Sequence, residues 1–203
     1  NLAIVTTRYT EFQNDDLPQI PDIISEGHYL FETQKEFAKH MLIIQKIAYA
    51  TAIYKTEFFK KTPLEYEKFS KFNNWPFIVK IAKFASVVLF DDEKMFYVRC
   101  HNLQDTNTFD NTPTLEQVVN WNKPFYDAII GHEPSLGDKI MFMHMSISHA
   151  YNKYNHFMSQ ADKEKYSLES IKECIKSKGM SISLENIPKE EIKSICTTYL
   201  TNI

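Results

Sequence analysis

The stretch Phe37-Ala38-Lys39-His40-Met41-Leu42-Ile43-Ile44 decides the fold class. Phe37, Met41, Ile44 and Ala48 follow one another at intervals of four, three and four residues. Residues at these intervals share one face of an α-helix, because each turn takes about 3.6 residues. The pattern predicts one amphipathic helix over residues 29–60, with its apolar face buried.

The chain on the carboxyl side of this stretch predicts further helices. Thr62 and Glu65 have the spacing of a capping box, and Pro63 suits the first turn of a helix. Ser135 and Asp138 are predicted to cap the helix over residues 136–159, and prolines, capping residues or apolar side chains at intervals of three to four indicate the others. The predicted helices are 63–72, 74–84, 113–121, 124–131, 136–159, 167–178 and 188–200.

One β signal interrupts the helices. Val87-Val88-Leu89-Phe90 and Met95–Cys100 flank the polar residues Asp91-Asp92-Glu93-Lys94, which predicts a β-hairpin around a type I turn at about residues 86–101. The predicted fold is therefore mainly α, a helical bundle-like globular domain with this one β-hairpin and a C-terminal helical hairpin.

Three regions are predicted along the chain. Residues 1–27 form an N-terminal arm or edge segment that begins with the strand-like run Leu2-Ala3-Ile4-Val5. Residues 28–103 form a helical lobe that ends in the hairpin. A polar loop at 104–113 begins a second helical lobe, 104–203, which closes with a helix–loop–helix. One continuous domain is the alternative.

Composition excludes several classes of protein. The presence of only four glycines argues against a Gly-rich phosphate loop, and the sequence has no apolar run of about 18 residues that would predict a membrane span. Arg8 and Arg99 are the two arginines of the chain, which weighs against specific reading of duplex DNA.

Cysteine usage favours an intracellular, reducing, cytoplasmic-type environment. The three cysteines are odd in number and far apart in the sequence, although a bridge between Cys174 and Cys196 stays open. The sequence opens at Asn1 rather than Met, which is typical of a processed chain, and a targeting signal would lie in the missing part.

The segment 55–83 combines basic and aromatic residues. Seven lysines stand against three glutamates there, and aromatic residues alternate with them. Lysines that neutralise phosphates and aromatic faces that stack on bases together bind single-stranded nucleic acid. The alternative is that the aromatic side chains form core and the lysines face solvent. The candidate nucleic-acid-binding residues are Lys55, Lys60, Lys61, Lys68, Lys71, Lys80, Lys83 and Trp75.

Catalytic patterns are weak, and the sequence predicts no metal site and no cofactor. His144, His149 and His156 fall on one predicted helix, but their intervals do not suit a metal. Cys100 and His101 are adjacent on a predicted strand and point to opposite faces. Pro21-Asp22 followed by Glu32-Thr33-Gln34-Lys35 resembles only the residue order of a metal-dependent nuclease.

Three functions remain, in order. The first is a non-enzymatic structural or assembly protein that acts through protein–protein contacts in a larger complex, with protein partners or self-association. The second is a nucleoprotein-type protein that binds single-stranded nucleic acid through residues 55–83. A metal-dependent hydrolase or nuclease comes third, because the chain lacks the usual catalytic motifs.

Overall fold

A computed structural model of the chain describes residues 2–7, 9–13, 28–44, 51–63, 74–90, 96–100, 114–157, 168–182, 188 and 190. For residues 9–13, 44, 96–100, 147–157 and 168 it describes the backbone alone. Of the described residues 58% are helical, so the fold is mainly α with a small four-stranded mixed sheet. The chain divides into two compact units, Asn1–Asn111 and Thr112–Ile203. The three predicted regions, with their finer boundaries, stay a prediction.

The first unit combines strands and helices. Its strands are β1 (Leu2–Thr7), β2 (Tyr9–Gln13), β3 (Tyr29–Phe31), β4 (Ala52–Tyr54), β5 (Ser86–Phe90) and β6 (Phe96–Cys100), and its helices are α1 (Gln34–Ile44), α2 (Thr56–Lys61) and α3 (Asn74–Ile81). Four strands form one sheet in the order β3-β5-β1-β4, and β2 pairs with β6 in a second sheet. β1 runs parallel to β5, whereas the edge strands β3 and β4 run antiparallel to their neighbours.

The predicted hairpin is corrected by this pairing. Both of its strands are present as β5 and β6, but β5 lies between β1 and β3, so both of its edges are occupied. β6 pairs in parallel with β2 instead. A turn signal is local, whereas the partner of β5 comes from the distant N-terminal residues and is invisible in a short window of sequence. The turn residues 91–95 lie outside the described residues.

The long helix predicted over residues 29–60 is also corrected. Helix α1 covers Gln34–Ile44, and strands β3 and β4 occupy the two ends of the predicted range. Phe37 and Met41 are fully buried, so the periodicity holds where the helix exists. The ends contain aromatic and β-branched residues, and pairing with β5 and β1 favours the extended conformation there.

The N-terminal run Leu2–Val5 is a strand, as predicted, but it is not an edge segment. β1 has β5 on one side and β4 on the other, which makes it an interior strand. Ala3 and Ile4 are buried. Residues 14–27, the rest of the predicted arm, lie outside the described residues.

One face of the four-stranded sheet, here called the inner face, lies against α1 and α3. The Phe37 ring of α1 lies 5.5 Å from the ring of Phe31 on β3. The Phe77 ring of α3 lies 5.6 Å from the ring of Tyr54 on β4. The Gln34 side-chain amide donates a hydrogen bond of 2.8 Å to the Val79 carbonyl, which joins the two helices.

The second unit is helical, with α4 (Leu115–Asn120), α5 (Lys123–Ile129), α6 (Leu136–Phe157) and α7 (Leu168–Ser177). Its core joins α4 to α7 and the residues that follow α7. The buried residues of this cluster are Val118, Val119, Ile171, Ile175 and Met180, and Phe125, Ile129 and Phe142 are buried elsewhere in the unit.

Capping residues define the helix ends in this unit. Thr114 and Gln117 form a capping box at α4. Ser135 and Asp138 exchange two hydrogen bonds of 3.1 Å at the start of α6, as predicted. Gly179 ends α7 with φ of 72°, a conformation that favours glycine. The second arm of the predicted C-terminal helical hairpin, 188–200, lies outside the described residues except for 188 and 190.

Candidate functional site

An apolar row crosses the face of the four-stranded sheet opposite the inner face, here called the outer face. Paired residues of neighbouring strands place their side chains on the same face of a sheet. Leu30 pairs with Val88, Val88 pairs with Val5, and Val5 pairs with Ile53. The outer apolar row is therefore one line across all four strands, made of Leu30, Val88, Val5 and Ile53.

The row is open to solvent at both edges of the sheet. Ile53 is 76% exposed and Leu30 is 55% exposed, whereas Val5 and Val88 between them are half-buried. Val87 and Leu89 lie next to Val88 on β5, point to the inner face and are fully buried. Leu2 pairs with Ser86 and adds a further exposed apolar side chain to the outer face.

Charged residues flank the row at one end of the sheet. Lys55 continues the β4 ladder, because its amide donates a 3.0 Å hydrogen bond to the Ala3 carbonyl. It lies two positions after Ile53 in the chain, so the alternation of a strand puts it on the same outer face. Its ammonium nitrogen lies 2.8 Å from a carboxylate oxygen of Glu57, and this hydrogen bond holds the pKa of Glu57 below its ordinary value. Glu32 is exposed two residues beyond Leu30, at the opposite edge.

The basic aromatic segment is only partly described, because Lys68 and Lys71 lie outside the described residues. Phe58 and Phe77 are buried, as expected if the aromatic side chains of this segment form core. The Phe84 ring lies directly after the segment. It is 39% exposed and stacks on Phe58, with ring centroids 5.3 Å apart and planes 7° from parallel.

Two candidate lysines meet at this aromatic pair. The Lys55 and Lys61 ammonium nitrogens lie 5.1 Å and 5.8 Å from the centre of the Phe58 ring, within the range of cation–π attraction. Lys83 precedes Phe84 in the chain and is exposed. We call Phe58, Phe84, Lys55 and Lys61 the aromatic corner.

The other candidates in the described residues lie on helices α2 and α3. Lys60 is exposed in the last turn of α2, and Lys80 is half-buried in the last turn of α3. Trp75 is half-buried in the first turn of α3. A nucleic-acid site formed by all the candidates therefore stays a prediction.

Within the described residues, no group of three or more His, Cys, Asp or Glu side chains is placed to hold a metal ion. His144 is exposed, while the side chains of His149 and His156 lie outside the described set. Cys174 has a free thiol, and burial raises its pKa, which lowers the thiolate fraction at neutral pH. Cys196, its predicted alternative partner, lies outside the described residues.

Sequence reasoning missed the outer apolar row and Phe84. Tyr29-Leu30-Phe31 and Ala52-Ile53-Tyr54 are short β-prone runs, and reading them as strands would have revealed the edges of the sheet. The row itself depends on the register between strands that are distant in sequence. Phe84 falls within the helix predicted over residues 74–84, but α3 ends at Ile81 and leaves the Phe84 ring beyond the helix.

No protein-family model matches this sequence, and no curated protein is detectably similar to it. Among the helices of the described residues, none is long and apolar enough to cross a membrane.

Proposed function

We propose that this chain is a non-enzymatic structural or assembly protein that acts through protein–protein contacts. The observation that supports this function is the outer apolar row. Its end members Leu30 and Ile53 are mostly exposed. A contiguous exposed apolar surface is typical of an interaction site, whereas scattered single exposed residues are ordinary.

Burial of this row would contribute substantially to binding. Covering one Leu or Ile side chain completely contributes about 1.5–3 kcal/mol. Charged side chains, Lys55 and Glu32, flank this row at one end, as in an interface with an apolar centre and a polar rim.

Substitution of Ile53 by lysine tests this function in the cells that make the protein. We expect tagged wild-type chain to recover a fixed set of proteins, including untagged copies of itself, in constant proportions. The Ile53→Lys variant should lose that set, since a charge on the row cannot be desolvated cheaply.

The Lys176→Glu variant is the matched control, because it changes an exposed charge on α7 in the second unit. It should recover the same proteins as the wild type. Recovery of an identical set by wild type and Ile53→Lys would contradict the proposed function.

A second function, binding of single-stranded nucleic acid, is favoured by the aromatic corner. Phe84 offers a partly exposed ring, and Lys55 and Lys61 place positive charge at the Phe58 ring on which it stacks. One base stacked on an aromatic ring contributes about 1–3 kcal/mol.

Fluorescence anisotropy with a labelled oligo-uridine at several salt concentrations tests this second function. We expect binding that weakens as salt rises, and a loss of about fivefold to a hundredfold for Phe84→Ala. Lys176→Glu should bind like the wild type. Absence of binding at low salt, or equal binding by Phe84→Ala, would rule the second function out.

A further inference from the structure

The outer apolar row is nearly symmetric about the midline of the sheet. Reading across the strands it runs Leu30, Val88, Val5, Ile53, with two valines between two larger aliphatic side chains. The strand directions have the same symmetry, because the two central strands are parallel and each edge strand is antiparallel to its neighbour.

This symmetry suits a second copy of the same chain. A two-fold axis that runs along the strands, above the midline, places Leu30 of one copy opposite Ile53 of the other. The same axis places Val88 opposite Val5. Two-fold interfaces use one self-complementary surface on both copies. Aligned sheets pack about 10 Å apart with their strands within about 30° of each other, and this arrangement meets that geometry.

The charges at the end of the sheet fit the same axis. Glu32 comes two residues after Leu30 and Lys55 comes two residues after Ile53. Since the two edge strands run in the same direction, both residues lie beyond the same end of the row, at opposite edges of the sheet. Within one chain they are three strand spacings apart, about 14 Å, which is too far for an ion pair. The two-fold axis places Glu32 of each copy opposite Lys55 of the other. Lys55 also contacts Glu57, but an ammonium group has three donors and can bind two carboxylates.

Edge-to-edge pairing of sheets is a poorer use of these strands. β3 and β4 are the edge strands of this sheet, and each spans three residues. Short edge strands offer few backbone groups for pairing with another chain. The apolar side chains project from the face, and so contact between faces buries more of them.

We propose that two copies of this chain associate through their outer faces, with Glu32 of each copy paired with Lys55 of the other. This inference rests on the proposed function, since it names the partner of the same surface. A closed two-fold pair also explains how the exposed row is compatible with a stable protein in solution.

Reversing the charges of residues 32 and 55, singly and together, tests the arrangement. The association constant of each purified chain is measured by sedimentation equilibrium. We expect wild type to dimerise, Glu32→Lys and Lys55→Glu each to weaken the dimer about threefold to tenfold, and the double variant to recover most of the loss. Ile53→Lys should weaken it about tenfold or more. Glu173→Lys, which changes an exposed charge in the second unit, should leave it unchanged.

Recovery in the double variant is diagnostic, because the two side chains are too distant to meet within one copy. A circular dichroism melt of each variant confirms that it folds. A dimer that either single charge reversal leaves unchanged, or that the double variant fails to restore, would overturn the two-fold arrangement.

A wild-type chain that stays monomeric at all concentrations would overturn self-association. The proposed function would still stand in that case if Ile53→Lys removed other proteins from the recovered set. If the wild type stayed monomeric and Ile53→Lys recovered the same proteins as the wild type, both proposals would be contradicted.

Discussion

The two faces of the four-stranded sheet are built from alternating residues of the same strands, but they have different surroundings. On the inner face, Val87 and Leu89 are fully buried beneath the first-unit helices. On the outer face, Leu30 and Ile53 are mostly exposed at the sheet edges. Burial within one copy explains the apolar residues of the inner face. It does not explain those of the outer face, which the association proposed above would cover.

Truncation of neighbouring residues on β5 gives the largest expected difference between the two faces. Leu89→Ala should lower the free energy of unfolding by about 2–5 kcal/mol, because it leaves a cavity in the core. Val88→Ala, one residue earlier, should lower it by less than about 1.5 kcal/mol, since Val88 is half-buried. Urea unfolding followed by circular dichroism, under conditions where the chain is monomeric, measures both. Equal losses would show that the two faces are equally packed.

Removal of the buried Thr6 hydroxyl should have the next largest effect on the free energy of unfolding. Thr6 lies on the inner face, and its hydroxyl oxygen is 3.3 Å from the Thr51 carbonyl oxygen and 3.4 Å from the Thr51 hydroxyl. Thr6→Val removes the buried Thr6 hydroxyl and its hydrogen bond to Thr51, so we expect a loss of about 1 kcal/mol in the same unfolding measurement.

Ser146→Ala in the second unit is the control for that loss. The Ser146 hydroxyl is buried with no hydrogen-bond partner among the described residues, and its removal should be neutral or slightly stabilising. If Thr6→Val were as harmless as Ser146→Ala, the hydrogen bond to Thr51 would contribute nothing.

The smallest expected effect on stability belongs to Ile53→Thr on the outer face. Threonine keeps the β-branched shape that suits a strand, and the side chain is already exposed in one copy. We expect the free energy of unfolding of the monomer to change by less than about 0.5 kcal/mol, while association weakens. A large loss of monomer stability would mean that Ile53 belongs to the core of its own chain.

Sequence alone located the buried residues that repeat locally. Phe37 and Met41 were predicted to be buried from their spacing, and Ser135 with Asp138 was predicted to begin a helix. Both signals operate within a few residues, where helix geometry fixes which side chains meet.

Pairing between distant strands was the part that sequence alone could not supply. The register that aligns Val5 with Val88 joins residues more than eighty positions apart. Local patterns instead favoured a hairpin between β5 and the strand after it, and a helix where β3 and β4 lie. The candidate surface follows from that register, so it could not be predicted before the sheet was known.

Cross-linking between copies tests the outer-face association most directly. In a background with the three cysteines replaced by serine, Leu30→Cys and Ile53→Cys chains are prepared separately and treated with a thiol cross-linker that spans about 10 Å, the distance between packed sheets. A mixture of the two chains should form covalent dimers, because residue 30 of one copy faces residue 53 of the other. Either chain alone should not, since like positions lie about 17 Å apart. Equal cross-linking in all three samples, or none in the mixture, would contradict the association.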